Sequence, residues 1–245
     1  MEKFEKVEIG ENCTLYCGDA FEILPELEDG SIDMIASDPP YAAQTFGGKC
    51  TDNIWDKPIP LPEFWKLAES KTKPAANIIL FGNMKLAHDL INTNPRNFRY
   101  DMVWHKNNRT NFLNANLRPL ASHESILVFG KSGGKIASTF NPLKSSDGVN
   151  PHTTLSFSHD RGNQPGLHPT QKPVNLLAWL IMTFSNPGDL ILDMFMGSGT
   201  SLEAGIRLGR RVIGVEKHKP YFDIACKRLE AVQRRRHVRF GGVKT

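Results

Sequence analysis

Apolar residues in this chain come in short runs. The runs alternate with segments whose apolar positions recur every three or four residues. The runs CTLYC (13–17), IDMIAS (32–37), NIILFG (77–82), RYDMVWHK (99–106), ESILVFGK (124–131), DLILDMF (189–195) and RVIGVE (211–216) read as strands. The amphipathic stretches AFEILPEL (20–27), LPEFWKLAESK (61–71), MKLAHDLINT (84–93), PVNLLAWLIMTF (173–184), TSLEAGIRLG (200–209) and PYFDIACKRLEAVQRR (220–235) read as helices. Near-continuous apolar strands separated by helices predict an α/β domain with a mostly parallel sheet covered on both faces. No helix separates RYDMVWHK from ESILVFGK, so those two strands are expected to form an antiparallel pair at the sheet edge. Residues 132–167 break the rhythm: they are rich in Ser, Gly, Asn, Pro and His and carry no long periodic segment. A stretch of that kind inside a compact domain is usually functional or mobile. The chain has no internal repeat.

Composition narrows this picture only a little. The 245 residues are 40% hydrophobic and 23% charged, an ordinary globular balance for one sizeable domain or one domain with an inserted module. A formal net charge of +4 is compatible with a polyanionic partner without requiring one. Cys13, Cys17, Cys50 and Cys226 lack the paired spacing of a zinc site, so no metal is expected. The charged N-terminus MEKFEKVEIG has no apolar core, and the longest apolar run, NLLAWLIMTF, is about half a membrane span. A cytoplasmic protein with no membrane partner is expected.

Two stretches carry candidate chemistry. In SIDMIASDPPY a buried strand runs into Asp38-Pro39-Pro40-Tyr41, where two prolines end any ladder and fix the backbone direction. In DLILDMFMGSGTSLEAGIRLGRRVIGVE a strand ends at Asp193, a Gly197-Ser198-Gly199 turn follows, a helix starts near Thr200, and a second strand ends at Glu216. Such a loop brings backbone and helix N-terminal N–H groups close to a ligand, and an acid about 20 residues on suits a ribose diol. The spacing fits a nucleoside cofactor. It fits NAD poorly, because Ser201 and Leu202 stand where the dinucleotide pattern needs a third glycine. Each feature alone also has a plain structural reading. The glycines would serve a tight turn, Asp38 and Asp19 would be helix caps, Glu216 a surface acid, and His168 and Lys172 loop residues.

Together, DPPY and DMFMGSGT resemble the S-adenosylmethionine-dependent amino-methyltransferases of DNA. Their order, with DPPY first and an irregular segment between, resembles the beta group of that family. The resemblance implies a circularly permuted, Rossmann-like class I methyltransferase fold. It would have a seven-stranded mostly parallel sheet with one antiparallel edge strand. Residues 1–131 would form the catalytic half, 132–167 an inserted target-recognition region, and 168–245 the cofactor-binding half. LYCGDAFEIL resembles the acidic element at the cofactor adenine, which implies contacts from Asp19 and Ala20. HPTQKPVNLL resembles the element at the cofactor's methionine end, which implies His168, Thr170, Gln171, Lys172 and Pro173. The glycine-loop element implies Asp193, Phe195, Gly197, Ser198, Gly199, Thr200 and Glu216. VWHK and HESILVF are also similar to family stretches.

The catalytic element implied is Asp38, Pro39, Pro40 and Tyr41. The lone pair of an exocyclic amino nitrogen is delocalised into its ring. Acceptors on both N–H groups, the Asp38 carboxylate and the Pro39 carbonyl, would favour a nucleophilic nitrogen, and Tyr41 would stack on an extruded base. The resemblance thus implies transfer of a methyl group to adenine N6 in double-stranded DNA. DPPY rather than SPPY tilts the choice from cytosine N4 toward adenine. A cytosine-N4 enzyme, a catalytically inactive DNA-binding relative and an RNA methyltransferase stay open, as do a homodimer and a partner restriction endonuclease. The basic run RRRHVRF (234–240) suits a solvated helix end. HKNNRTNFLNANLRP (105–119) and residues 132–167 are the better candidates for DNA contact.

Overall fold

The structure is a computed structural model that describes residues 4–41, 57–110, 115–117, 119–131, 138–158 and 171–240. Nine strands form one sheet: β1 (Glu5–Glu8), β2 (Cys13–Cys17), β3 (Ile32–Ser37), β4 (Thr72–Gly82), β5 (Phe98–Thr110), β6 (Ala121–Gly130), β7 (Thr154–Phe157), β8 (Leu190–Asp193) and β9 (Arg211–Glu216). Their order across the sheet is β1-β2-β9-β8-β3-β4-β6-β5-β7. Among the described residues six α-helices accompany them: α1 (Ala20–Ile23), which runs on into a 3₁₀ turn at Leu24–Glu26, α2 (Leu61–Lys71), α3 (Met84–Thr93), α4 (Val174–Phe184), α5 (Thr200–Arg207) and α6 (Lys219–Phe240). Among the described residues no helix is long and apolar enough to cross a membrane.

All seven expected strands are present, in a mostly parallel sheet of the expected class. Two details differ from expectation. The sheet carries two further strands, β1 and β7, one at each edge, each only four residues long. The reversed strand of the β5–β6 pair is also not at the edge. β6 pairs antiparallel with both β4 and β5, and β7 then adds in parallel outside β5. The burial of β6 explains its place. Every residue from Ser125 to Gly130 is buried, as suits a strand inside the sheet with both faces covered, whereas β5, whose outer neighbour is only the four-residue β7, alternates exposed Asp101 and His105 with buried Met102, Trp104 and Lys106. Strand β7 is the one regular element that residues 138–158 contribute, tied by the Trp104 indole donating to the Phe157 carbonyl at 3.0 Å.

Alternation along the central strands divides the core into two layers. Ile79 and Phe81 of β4 and Ile126 and Val128 of β6 face α4, α5 and α6; Ile78, Leu80, Leu127 and Phe129 face α1, α2 and α3. The helices present matching apolar stripes, such as Leu176, Leu180 and Phe184 of α4 and Phe64, Trp65 and Ala68 of α2. Asn83 caps α3 by accepting from the Leu86 amide at 2.9 Å.

Strands β8 and β3 are parallel neighbours, yet their connections leave in opposite directions. β8 passes through α5 to β9 on one side, and β3 passes through α2 to β4 on the other. That reversal opens a crevice at the carboxyl ends of the strands, the usual ligand position in such sheets. The two ends are stitched together by the Ser37 hydroxyl, which donates to Asp193 Oδ1 at 2.7 Å.

Candidate active site

A cavity of about 860 Å³ occupies this crevice. One end is bordered by Asp19, Ala20, Gly197 and Glu216, the other by Asp38, Pro39, Pro40 and Tyr41, and Gln171 and Lys172 lie along it. Residues separated by nearly the whole chain therefore share one space. Its volume suits a nucleoside-sized ligand together with part of a second molecule.

At the first end, β9 delivers Glu216 beside the loop after β8. The Glu216 carboxylate accepts from the Gly197 amide at 2.9 Å and the His218 amide at 2.7 Å. Burial raises its pKa, and the backbone N–H groups of His218, Gly197 and Lys217 oppose that rise. A carboxylate accepts about four hydrogen bonds, so acceptor positions remain for a diol in the cavity. Asp19 does two things at once. It caps α1 by accepting from the Phe21 amide at 3.0 Å, and it pairs with Lys217 at 2.7 Å while bordering the cavity. The cap reading of Asp19 is thus correct but incomplete.

The glycine loop works mainly through its backbone. Gly199 has φ +79° as it enters α5, and a Cβ there would lie 3.1 Å from the Ala225 side chain. Gly199 and Pro173 stand behind the cavity wall, whereas Phe195, Gly197, Ser198 and Thr200 line it. Asp193 is buried and committed to the protein. It accepts from the hydroxyls of Ser37 and Ser201 and from the Phe195 amide at 3.1 Å. Burial pushes its pKa to about 6 against those hydrogen bonds. Asp193 therefore orders the loop by joining β3, β8 and α5. Gln171 Oε1 accepts from Ser198 Oγ at 3.2 Å and Arg228 Nη2 at 2.9 Å, which turns its amide N–H groups away from those partners. His168 and Thr170 lie outside the described residues.

At the other end, Asp38 follows β3 directly. Its Oδ1 accepts from the Tyr41 hydroxyl at 2.7 Å, and its Oδ2 accepts from the Lys172 ammonium. Lys172 is buried, only 6% exposed, and also meets Glu124 Oε2 at 3.3 Å. Glu124 in turn is bound by the buried Lys106. The solvated-loop reading of Lys172 is therefore wrong; two carboxylates hold its ammonium, which lies 5.1 Å from the centre of the Phe81 ring and 5.4 Å from that of Tyr41. Burial raises the Asp38 pKa, with Lys172 opposing and Glu124 reinforcing the rise. Burial acts on Glu124 in the same sense, but Lys172 and Lys106 outweigh it and hold Glu124 low.

Sequence reasoning missed Lys106 and Glu124 as site residues, although the stretches VWHK and HESILVF hold them. A signal exists. Lys106 follows Met102 and Trp104 at a spacing of two, and Glu124 precedes Ile126 and Val128 likewise, so both charges sit on an apolar strand face. Ser37 and Ser201, the partners of Asp193, were missed as well. Among the described residues no group of three or more His, Cys, Asp or Glu side chains is arranged to hold a metal ion.

The family model described as DNA methylase matches residues 32–227. The type II methyltransferase M.HpaI of Haemophilus parainfluenzae is 30% identical over 236 residues, covering 89% of this chain and 74% of that protein. M2.DpnII of Streptococcus pneumoniae, also a type II methyltransferase, is 31% identical over 236 residues, covering 87% of this chain and 88% of that one. The structure of an M1.HpyAVI–S-adenosylmethionine complex superposes with a TM-score of 0.67 at 29% identity, over 88% of this chain and 99% of the other. The cytosine-N4-specific PvuII DNA methyltransferase superposes with a TM-score of 0.71 over 92% of each chain, and at 19% identity that likeness bears on the fold alone. Family model, relatives and fold agree that this chain belongs to the DNA methylase family of adenine-N6 and cytosine-N4 amino-methyltransferases, which use S-adenosylmethionine.

Proposed function

We propose that this protein methylates the exocyclic N6 of adenine in duplex DNA, on a base turned out of the helix into the cavity. The observation that carries the reading is the position of Asp38-Pro39-Pro40-Tyr41 at the carboxyl end of β3, bordering the same cavity as Glu216 and the glycine loop. Asp rather than Ser at position 38 favours adenine over cytosine.

The residues present fit the cofactor. Glu216 offers acceptors to its ribose hydroxyls, Asp19 and Ala20 border the adenine end, Gly197 admits close approach, and Gln171 offers N–H donors at the methionine end. When bound, S-adenosylmethionine supplies an electrophilic methyl group on a sulfonium. The protein's own part is to prepare the nucleophile. The Asp38 carboxylate accepts one amino N–H and the Pro39 carbonyl, aimed by its rigid ring and by Pro40, accepts the other. Tyr41 provides an aromatic face for the extruded base. Catalysis rests on positioning and preorganised dipoles, with no covalent enzyme intermediate. Residues 132–167, helped by residues 107–118, select the sequence. The decisive experiment is methylation of unmodified bacterial genomic DNA followed by digestion to nucleosides. N6-methyl-2′-deoxyadenosine supports the reading; N4-methyl-2′-deoxycytidine as the product refutes it.

A further inference from the structure

We infer that Lys172 is a positioning residue for Asp38, held there by Glu124 and Lys106, rather than a cofactor ligand. The inference rests on the reading of Asp38 as the acceptor of the substrate amino group. Three observations carry it. First, the Lys172 ammonium is buried and bound by Asp38 and Glu124 together. Second, Lys106, 7% exposed, binds the other oxygen of Glu124, so the cluster holds two carboxylates and two ammonium groups and is neutral as a whole. Third, the charges arrive from four separate elements: the β3 end, β5, β6 and the segment before α4. An arrangement assembled from so many elements, on apolar strand faces, is costly unless each charge is compensated.

The cluster has a clear consequence for the nucleophile. Asp38 is useful as an acceptor only while it is an anion. Burial works against that anion, and Glu124 beside it works against it further; among the described residues Lys172 is the cation bound to it. The groups that face Asp38 are Lys172, Tyr41 and Glu124, with Asp193 on the neighbouring strand β8. Removing the Lys172 charge leaves two half-buried carboxylates and, within the cluster, only Lys106, an excess of one negative charge. Asp38 then holds its proton to higher pH and becomes a donor where an acceptor is required. Removing the Glu124 charge as well restores neutrality, with Asp38 against Lys106. Removing Glu124 alone has the opposite effect and makes the Asp38 anion easier to form.

The test is the pH dependence, from pH 5.5 to 9.5, of the single-turnover methylation rate on unmodified bacterial genomic DNA at saturating radiolabelled S-adenosylmethionine. Asp38→Ala, Lys172→Met, Lys172→Arg, Glu124→Gln and the double variant Lys172→Met/Glu124→Gln are compared with the parent, and calorimetry gives each variant's cofactor affinity. Lys172→Met is expected to lose at least tenfold at pH 7 and to recover as pH rises. Lys172→Arg should keep the parent profile. The double variant should exceed Lys172→Met at pH 7, and Glu124→Gln should move the acid limb to lower pH. Cofactor affinity should change less than threefold throughout. A parent-like profile in Lys172→Met with weakened cofactor binding overturns the inference, as does a double variant no better than the single. Should Lys172→Met fail to fold, an unmoved acid limb in Glu124→Gln overturns it alone. Activity retained by Asp38→Ala would instead sink the underlying reading of Asp38, so the two failures are distinguishable.

Discussion

Asp193 is the strongest test of how this site is held together. The residue is 5% exposed, and burial raises its pKa from 3.8 to about 6 despite bonds from two hydroxyls and a backbone amide. The sign of the effect on stability follows from proton linkage. Between pH 3.8 and about 6 the folded state binds more protons at this group than the unfolded state does. Stability contributed by the group is therefore largest below that window and falls as pH rises through it. A shift of about two units corresponds to roughly 3 kcal/mol, an upper figure for the cost of keeping Asp193 ionised at neutral pH. Asp193→Asn is nearly isosteric and cannot titrate. Its oxygen can accept from the Phe195 amide and the Ser37 hydroxyl, and its amide can donate to a reoriented Ser201 hydroxyl.

The measurement is urea unfolding of parent and Asp193→Asn across pH 4.5–7.5. The quantity to follow is the stability of the variant minus that of the parent, in which groups common to both cancel. That difference should grow by about 1–3 kcal/mol from the acid end to pH 7 and then level off. Its absolute value at any one pH depends on how well Asn replaces the hydrogen bonds, so only the slope is diagnostic. A flat or falling difference would refute the argument, because it would mean that burial does not raise the Asp193 pKa. Activity should fall in the variant even where stability rises. The charge that strains the fold also aligns the end of β3, and with it Asp38, against the glycine loop.

Glu216→Gln keeps the shape of the side chain but removes the charge that accepts from Gly197 and His218; S-adenosylmethionine affinity should weaken by about 1–3 kcal/mol, read by calorimetry on folded protein. Unchanged affinity would remove Glu216 from the cofactor site. Tyr41→Phe keeps the ring and loses the hydroxyl bonded to Asp38 at 2.7 Å, so its methylation rate should lie between those of the parent and Tyr41→Ala; a Tyr41→Ala variant as active as the parent would end the stacking proposal. Gly199→Ala puts a Cβ at φ +79° and 3.1 Å from Ala225, and thermal unfolding should show a loss of about 1–2 kcal/mol. Exchanging residues 132–167 for the matching segment of a relative should change the methylated sequence while cofactor affinity stays the same. Base-resolved sequencing that finds the same motif before and after would place recognition elsewhere.

Much of this fold was legible because each signal was local. The seven strands and six helices follow from apolar period, and α2 and α3 begin and end where the pattern does, although AFEILPEL holds only four α-helical residues before Pro25 turns the chain into a 3₁₀ turn. Strands β1 and β7 were not legible. EKVE has only one apolar residue, and TLSF lies in a polar stretch, so each is a strand only because a neighbour offers it an edge to pair with. The interior place of β6 was hidden for a related reason. A hairpin with no helix fixes antiparallel pairing but leaves open which of its two strands meets the rest of the sheet. The answer lay in the contrast between continuous burial in SILVFG and alternation in DMVWHK.

The candidate site divides along the same line. Asp38, Glu216 and the glycine loop announce themselves because a rigid turn, a close approach or a strand-end acid leaves a mark within a few residues. Lys106, Glu124 and Lys172 leave none of that kind, since each is an ordinary residue whose meaning depends on two distant partners. What betrays Lys106 and Glu124 is a conflict. Each occupies a position in a strand where period two demands an apolar side chain. Fold economy would replace both with hydrocarbon, since a well-packed apolar pair at such a place is commonly as stable as an ion pair or more so. Their presence is therefore best explained by what they do for a third group. On the proposed reading, the feature in the cluster that chemistry requires to be charged is the carboxylate of Asp38, which lines the cavity and would accept from the substrate amino group.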